Sequence, residues 1–363
     1  MAQNKKQAIT VCIIVAAVTM ASVAGIAVNY NLNEGQEAFA RALFGEMPDV
    51  AYMLKSGDGG EAFKQRLSEH PGVRKAFGYE VSMVQLIVGG TSTATTVAED
   101  CSLLEGNMLI DGRYPKHSNE IALGTSIARV SGKSPGDTVT VKMGDHEKAY
   151  IVTGIVQYLN ANGFNGVIAE DGLREIYPEY QGKSFAVYLQ DGIDVKAHIQ
   201  SVQDREGDIF DSVIDTREQM QSMLGSMGGI FAAVAAGIMA VTVFVVILVL
   251  YMVIKTTILR RRRELGIQKA VGFTTFQLMN QIALNMTPVI LLGVILGAAA
   301  GFFGLNPMMT ALMSGMGIIK VELPVPLGQT VIVCIALAAL AYAVSMLIAW
   351  RIRKISAYSL ISE

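Results

Sequence analysis

Arg260-Arg261-Arg262-Arg263-Glu264-Leu265-Gly266-Ile267-Gln268-Lys269-Ala270-Val271-Gly272-Phe273 is the stretch that decides the fold of this chain. It stands between two long apolar runs. Four consecutive arginines beside a membrane span mark the cytoplasmic side, because short basic loops stay inside. The residues after them read as a short amphipathic helix, with Ile267, Ala270 and Val271 on or near one face. A short helix clamped between two spans is placed to pass a push from a cytoplasmic partner into the membrane.

Outward from this stretch, four windows are nearly free of charge: 8–28, 228–254, 281–303 and 329–350. Each exceeds the roughly 18 apolar-dominated residues that read as a transmembrane helix. The chain is 52% hydrophobic and 17% charged, below the roughly one quarter charged of soluble domains. The expected fold class is therefore a membrane α-helical protein with four transmembrane helices and a large extracytoplasmic α+β domain between the first two. The second window would span about 40 Å at about 1.5 Å per residue, more than the hydrocarbon core, so it is expected to tilt or project. Residues 216–224 extend it outward. Window 8–28 also suits a cleaved signal, with Lys5-Lys6 before it and small residues at its end. Its apolar run of about 20 residues is longer than a signal core, which favours an uncleaved anchor.

Basic residues fix the orientation. Lys5 and Lys6 precede the first window, Lys255, Arg260–Arg263 and Lys269 lie between the second and third, and Arg351, Arg353 and Lys354 follow the fourth. All fall on one side of a four-span protein, so both termini are expected in the cytoplasm of a multi-pass cell-membrane protein. The expected parts are an outer domain at 31–225, a cytoplasmic coupling segment at 256–278, an outer loop at 304–328 and a cytoplasmic tail at 351–363. The outer domain holds 17 Lys/Arg and 28 Asp/Glu, a net −11, hidden within a chain total of −2. An acidic outer domain argues against nucleic-acid partners.

Within the outer domain, 61–69 reads as a helix ended by Pro71, followed by an apolar strand at 79–88. Later come a strand at 185–189, a helix at 194–203 with Val195, Ile199 and Val202 inward, and a strand at 208–214. These pieces suggest one small α/β layer. A β-rich insert at about 101–168 is expected between them, with alternating strands at 137–142 and 148–156 around the turn Gly144-Asp145.

Two phrases carry a resemblance. Asn119-Glu120-Ile121-Ala122-Leu123-Gly124, followed by Ser134-Pro135-Gly136-Asp137-Thr138-Val139, is similar to the outer core domain of FtsX-like permeases of the macrolide-exporter and lipoprotein-releasing type, where an "EI.LG" turn precedes a "GD.V" strand start. The arginine stretch resembles that family's "RRREIGI.KA.G" segment between its second and third spans. The tail Arg353-Lys354-Ile355-Ser356-Ala357-Tyr358-Ser359-Leu360-Ile361 resembles its closing segment, where a proline often stands near the place of Ala357. The resemblance implies the permease subunit of an ATP-driven ABC transporter of the mechanotransmission type. It implies a partner ATPase that binds ATP and magnesium, so the chain itself needs no cofactor. It also implies a second permease unit, identical or sister, and allows an extracytoplasmic adaptor or a cell-wall hydrolase. Substrates could be peptides, antibiotics or lipoproteins. In this reading Leu265, Ile267, Ala270 and Val271 plug into a cleft on the ATPase. Arg261, Arg262, Glu264 and Lys269 meet its rim, Gly266 lies within the helix, and Gly272 ends it.

Other motifs are weighed beside it. Gly293, Gly297 and Gly301 recur every four residues and form a small-residue ridge, for a dimer contact or for packing on a span of the same chain. The loop around Met308, Met309, Met313 and Met316 reads as a mouth for an apolar substrate or as a segment lying on the bilayer. Gly132-Lys133-Ser134 lacks the first glycine of a phosphate loop, since position 127 is Ile127. The histidines at 70, 117, 146 and 198 are scattered without metal-ligand spacing, the three cysteines form no evident framework, and no nucleophile elbow is present. The alternative to a permease is a membrane-anchored sensor or scaffold that binds an extracellular ligand without transport. A stoichiometric ATPase separates the two.

Overall fold

A computed structural model describes residues 2–34, 40, 44–106 and 108–350. The closing segment 353–361 lies outside the described residues. The chain divides into two compact units. One comprises Met1–Glu34, Met227–Pro307 and Leu323–Glu363, and the other Gly35–Ser226 and Met308–Glu322.

In chain order the helices and strands begin with α1 (Ala2–Asn33), β1 (Val50–Leu54), α2 (Gly60–Ser68), β2 (Val73–Val88) and β3 (Thr91–Ala98). Next come β4 (Leu109–Gly112), β5 (Glu120–Gly124), α3 (Thr125–Ser131), β6 (Thr138–Met143), β7 (His146–Val156), β8 (Asn165–Ala169) and α4 (Glu170–Arg174). The remainder is β9 (Ser184–Leu189), α5 (Val195–Glu206), β10 (Phe210–Asp215), α6 (Thr216–Arg260), α7 (Arg262–Ala270), α8 (Thr275–Met313) and α9 (Leu327–Ala349).

In the membrane unit, α1, α6, α8 and α9 are long and apolar enough to cross a membrane. Val246, Leu250, Ile254 and Ile258 recur every four residues along α6 and are buried. They join Val11 and Val15 of α1, Ile282 and Val294 of α8, and Val344 of α9 in one core. The opposite faces stay apolar too: Phe244, Ile295, Phe303, Ile332 and Leu347 are all exposed. Helices apolar all round suit a lipid surrounding, where outward leucines cost nothing.

The outer unit has two parts. The first interleaves two split βαβ motifs, β1-α2-β2 and β9-α5-β10, in the strand order β10-β1-β9-β2, every pair antiparallel. This is the ferredoxin-like arrangement. Phe63 and Leu67 of α2 and Val202 of α5 bury against Val50, Tyr52, Phe185 and Val187. Asp194 caps α5, accepting the N–H groups of Lys196 at 2.9 Å and Ala197 at 3.4 Å.

The second part is a closed barrel. Strand pairing runs β2-β3-β8-β5-β7-β6 and back to β2, with β4 added beside β7. Leu86, Val88, Ile121, Leu123, Val141, Tyr150, Val152 and Ile168 fill the interior, and the Tyr150 hydroxyl donates to Gly172 O at 2.6 Å. β2 serves both parts. Its first residues pair with β9 and its last with β3 and β6. The register slips between Glu80 and Val84, around Ser82 at φ 54°. Three residues, 81–83, stand opposite the single Thr96, and this bulge, with Ser82 left-handed, bends the strand and lets it leave one sheet for the other.

Several expectations are corrected. The barrel begins in β2, not near residue 101, and it includes β3. That strand is threonine-rich and shows no apolar alternation, yet Thr93, Thr95 and Thr96 are buried. The expected turn at 119–124 is β5, buried along its whole length. The strand expected from residue 79 starts at Val73. β1 carried no pattern strong enough to mark it. The loop expected at 304–328 is helical as far as Met313, because the Met-, Leu- and Ala-rich residues carry α8 past Pro307. Residues 308–322 belong to the outer unit.

Candidate coupling site

α7 is built by two stops. Arg261, at φ −97° and ψ 17°, interrupts the helix that α6 had carried to Arg260. Glu264 follows in the first turn of α7, where the helix dipole favours an anion, and lies 3.8 Å from Arg261. The far end closes at Gly272, whose φ of 105° suits glycine. Gly272 N–H donates to Lys269 O at 3.2 Å and Phe273 N–H to Gln268 O at 3.1 Å. Those two bonds form a Schellman cap. A capping box starts α8 immediately afterwards. Gln277 N–H donates to Thr274 Oγ1 at 3.2 Å, and Thr274 N–H to Gln277 Oε1 at 2.9 Å.

The faces of α7 differ. Leu265 is 4% exposed and belongs to the membrane-unit core with Ile258 and Leu278. Gly266 is buried beside it. Ile267 is 65% and Val271 75% exposed, and Ala270 is exposed between them. The four-residue plug read from the sequence therefore loses Leu265. At about 100° per residue, Leu265 and Ile267 point to opposite sides, whereas positions i, i+3 and i+4 share a face. Arg261, Arg262 and Glu264 are exposed and Lys269 is half-buried. Two further apolar residues, Phe273 and Phe276, stand exposed just after the cap at 46% and 65%. The signal for them was two aromatic residues three apart, immediately after Gly272.

The glycine ridge lies against α1 of the same chain. A Cβ at Gly293 would stand 2.9 Å from Cys12 O, and one at Gly301 would stand 2.8 Å from Val23 Cβ. A Cβ at Gly297 would collide with Ala16 O. The facing residues Val11, Val15, Thr19, Val23, Ala27 and Asn31 of α1 are buried at the same four-residue interval. The ridge is thus occupied within the chain and is not a free dimer face. Gly132 of the tempting Gly-Lys-Ser sequence caps α3 at φ 64°.

Folding also joins two of the scattered histidines. His70 and His198 meet edge to face with ring centroids 4.8 Å apart. His70 ring nitrogens approach Pro71 O at 3.1 Å and Ser201 Oγ at 3.2 Å. His198 Nε2 is buried without a partner, and desolvation, with His70 adding to it, pulls the His198 pKa down to about 4. Among the described residues no group of three or more His, Cys, Asp or Glu could hold a metal ion.

Residues 236–357 match the FtsX-like permease C-terminal family. This match covers α7 and most of the membrane helices, and it bears out the resemblance carried by the arginine stretch. No curated protein matches the chain. Solved structures similar to it include the following two. One is the periplasmic region of MacB from Actinobacillus actinomycetemcomitans, at 16% identity, covering 51% of this chain and 95% of that one with a TM-score of 0.37. The other is the extracellular domain of the noncanonic ABC-type transporter YknZ from Gram-positive bacteria, at 13% identity, covering 46% and 99%, with a TM-score of 0.34. Together with four helices long and apolar enough to cross a membrane, the FtsX-like match over about a third of the chain supports a multi-pass membrane protein.

Proposed function

We propose that this chain is the permease subunit of an ATP-driven ABC transporter and relays conformational change in a partner ATPase to its own outer domain. One observation carries the reading. α7 is pinned by Leu265 on one face and offers Ile267, Ala270 and Val271 on the other. A rigid apolar face in a segment flanked by arginines is built to be covered by protein. Exposed pairs from Arg261, Arg262, Glu264 and Lys269 would add at most about 1 kcal/mol each at the rim, so the apolar contact sets affinity. ATP and magnesium would be bound by the ATPase. The chain would work beside a second permease unit, identical or sister, with both termini in the cytoplasm. An extracytoplasmic adaptor or hydrolase would be the outer domain's partner, and peptide, antibiotic or lipoprotein the cargo.

Ala270→Asp in the purified complex should abolish permease-dependent stimulation of the ATPase and weaken association at least about tenfold, since an unpaired carboxylate would be buried. Membrane insertion should be unchanged. Normal stimulation in reconstituted vesicles would refute the docking role.

A further inference from the structure

The 308–322 segment, which takes in the end of α8 and the connector to α9, is seated on the outer barrel by a compact set of contacts. Gln157, at 6% exposure, spends its whole amide on the connector backbone. Its Oε1 accepts the N–H groups of Ile319 and Lys320, each at 3.0 Å, and its Nε2 donates to Lys320 O at 2.6 Å. Thr125 Oγ1 donates to Gly317 O at 2.6 Å. Ile318 is buried at 1% exposure. Gly317 and Gly163 touch backbone to backbone: a Cβ on Gly317 would lie 2.5 Å from Gly163 Cα.

The barrel side of this contact is strained. Only three non-glycine residues among those described have positive φ: Ser82, Ala161 and Asn162. Ser82 marks the bulge of β2 and receives Asn160 Nδ2 at 2.8 Å, while Ala161 and Asn162 lie in the loop itself, where Ser126 Oγ donates to Asn162 O at 2.8 Å. Left-handed conformations at Ala and Asn cost free energy and persist only where the surroundings impose them. A connector that merely linked two helices would not require such a seat.

The geometry points to a clamp: the 157–163 loop grips the 308–322 connector so that it moves as part of the barrel. This gives α8 and α9 a mechanical path to the outer domain in addition to α1 and α6. The inference rests on the permease reading for its purpose but not for its existence. Gln157 is the positioning residue. Its three bonds to main-chain atoms work like one more rung of sheet, independent of the connector's side chains.

The test uses the full chain in nanodiscs with its ATPase. Gln157→Leu should raise amide hydrogen exchange in a peptide covering Ile319 and Lys320 at least about tenfold, leaving β5 and β8 unchanged. Gln157→Glu keeps both acceptor bonds and should fall between. Labels at Asp145 and Gly315, in a background with the native cysteines replaced by alanine, should keep one separation with and without ATP in the parent protein. In Gln157→Leu that separation should become nucleotide-dependent. Unaltered exchange in Gln157→Leu, or a nucleotide-dependent separation in the parent, overturns the clamp. If no ATPase binds the chain, the permease reading fails while the exchange comparison still decides the clamp.

Discussion

His198 illustrates how a single buried ring sets a pH limit. It faces His70 at 4.8 Å and Tyr52 at 6.4 Å between ring centroids, and its Nε2 has no acceptor or donor. The folded value of about 4 lies below the ordinary 6.5. The unfolded chain therefore binds the proton first, and stability present above pH 6.5 is lost as pH falls toward 4. The full loss is about 3 kcal/mol. Glu105 and Glu120 are held to about 2, first by Arg74 and Arg113 respectively. Their contribution is present above pH 4.5 and lost only below it. Buried Glu170 is raised and works in the opposite sense. The resistance of the outer domain to urea should thus fall steadily from pH 6.5 to 4.5, and His198→Phe should flatten that slope. An unchanged slope in the variant would assign it elsewhere. None of this was legible in the sequence, because residues 128 positions apart have no periodic relation that would announce contact.

At the scale of elements, the glycine ridge of α8 makes a sharp comparison available. Gly297 has no room for a methyl group, whereas a Cβ at Gly304 on the same helix would meet only the end of Met20, at 4.0 Å. Gly297→Ala should destabilise the membrane unit by about 1–3 kcal/mol through overpacking, and Gly304→Ala should be neutral or slightly stabilising. Thermal unfolding in detergent micelles reads the difference; equal effects would show that α1 gives way freely. The ridge was legible because small residues every four positions leave a periodic mark. α7 was legible in part. Arginines and Gly272 give its place and its end, while the inward turn of Leu265 depends on where α6 stops. β1 and β3 were not legible, since one is five residues long and the other buries threonines in place of alternating apolar side chains.

For the whole molecule, the outer domain is not one continuous piece of chain. A fragment covering 35–226 would leave the Gln157 amide, the Thr125 hydroxyl and the seat of Ile318 unfilled. Fusing 308–322 to it through a flexible linker should raise its Tm by about 4–8 °C, from burial of one isoleucine in a domain of this size. A fusion that melts with the bare fragment would mean the connector contributes nothing to the folded head. The four-span layout was legible from charge and apolar length alone. The assignment of 308–322 was not, because a methionine-rich loop between two spans has the same composition whether it rests on lipid or on protein.

The neck between the two sheets has its own consequence. Gly78 stands opposite Phe185, and just beyond it Glu80 Oε1 receives the N–H of Lys183 at 2.6 Å. The entry and exit of the barrel are therefore next-door neighbours. Everything from 81 to 183 could be traded for a short hairpin, and the remaining strands would keep their order. The barrel is modular in the gardener's sense: a graft on a rootstock of four strands, exchangeable for one of another shape provided the scion again offers a seat to 317–320.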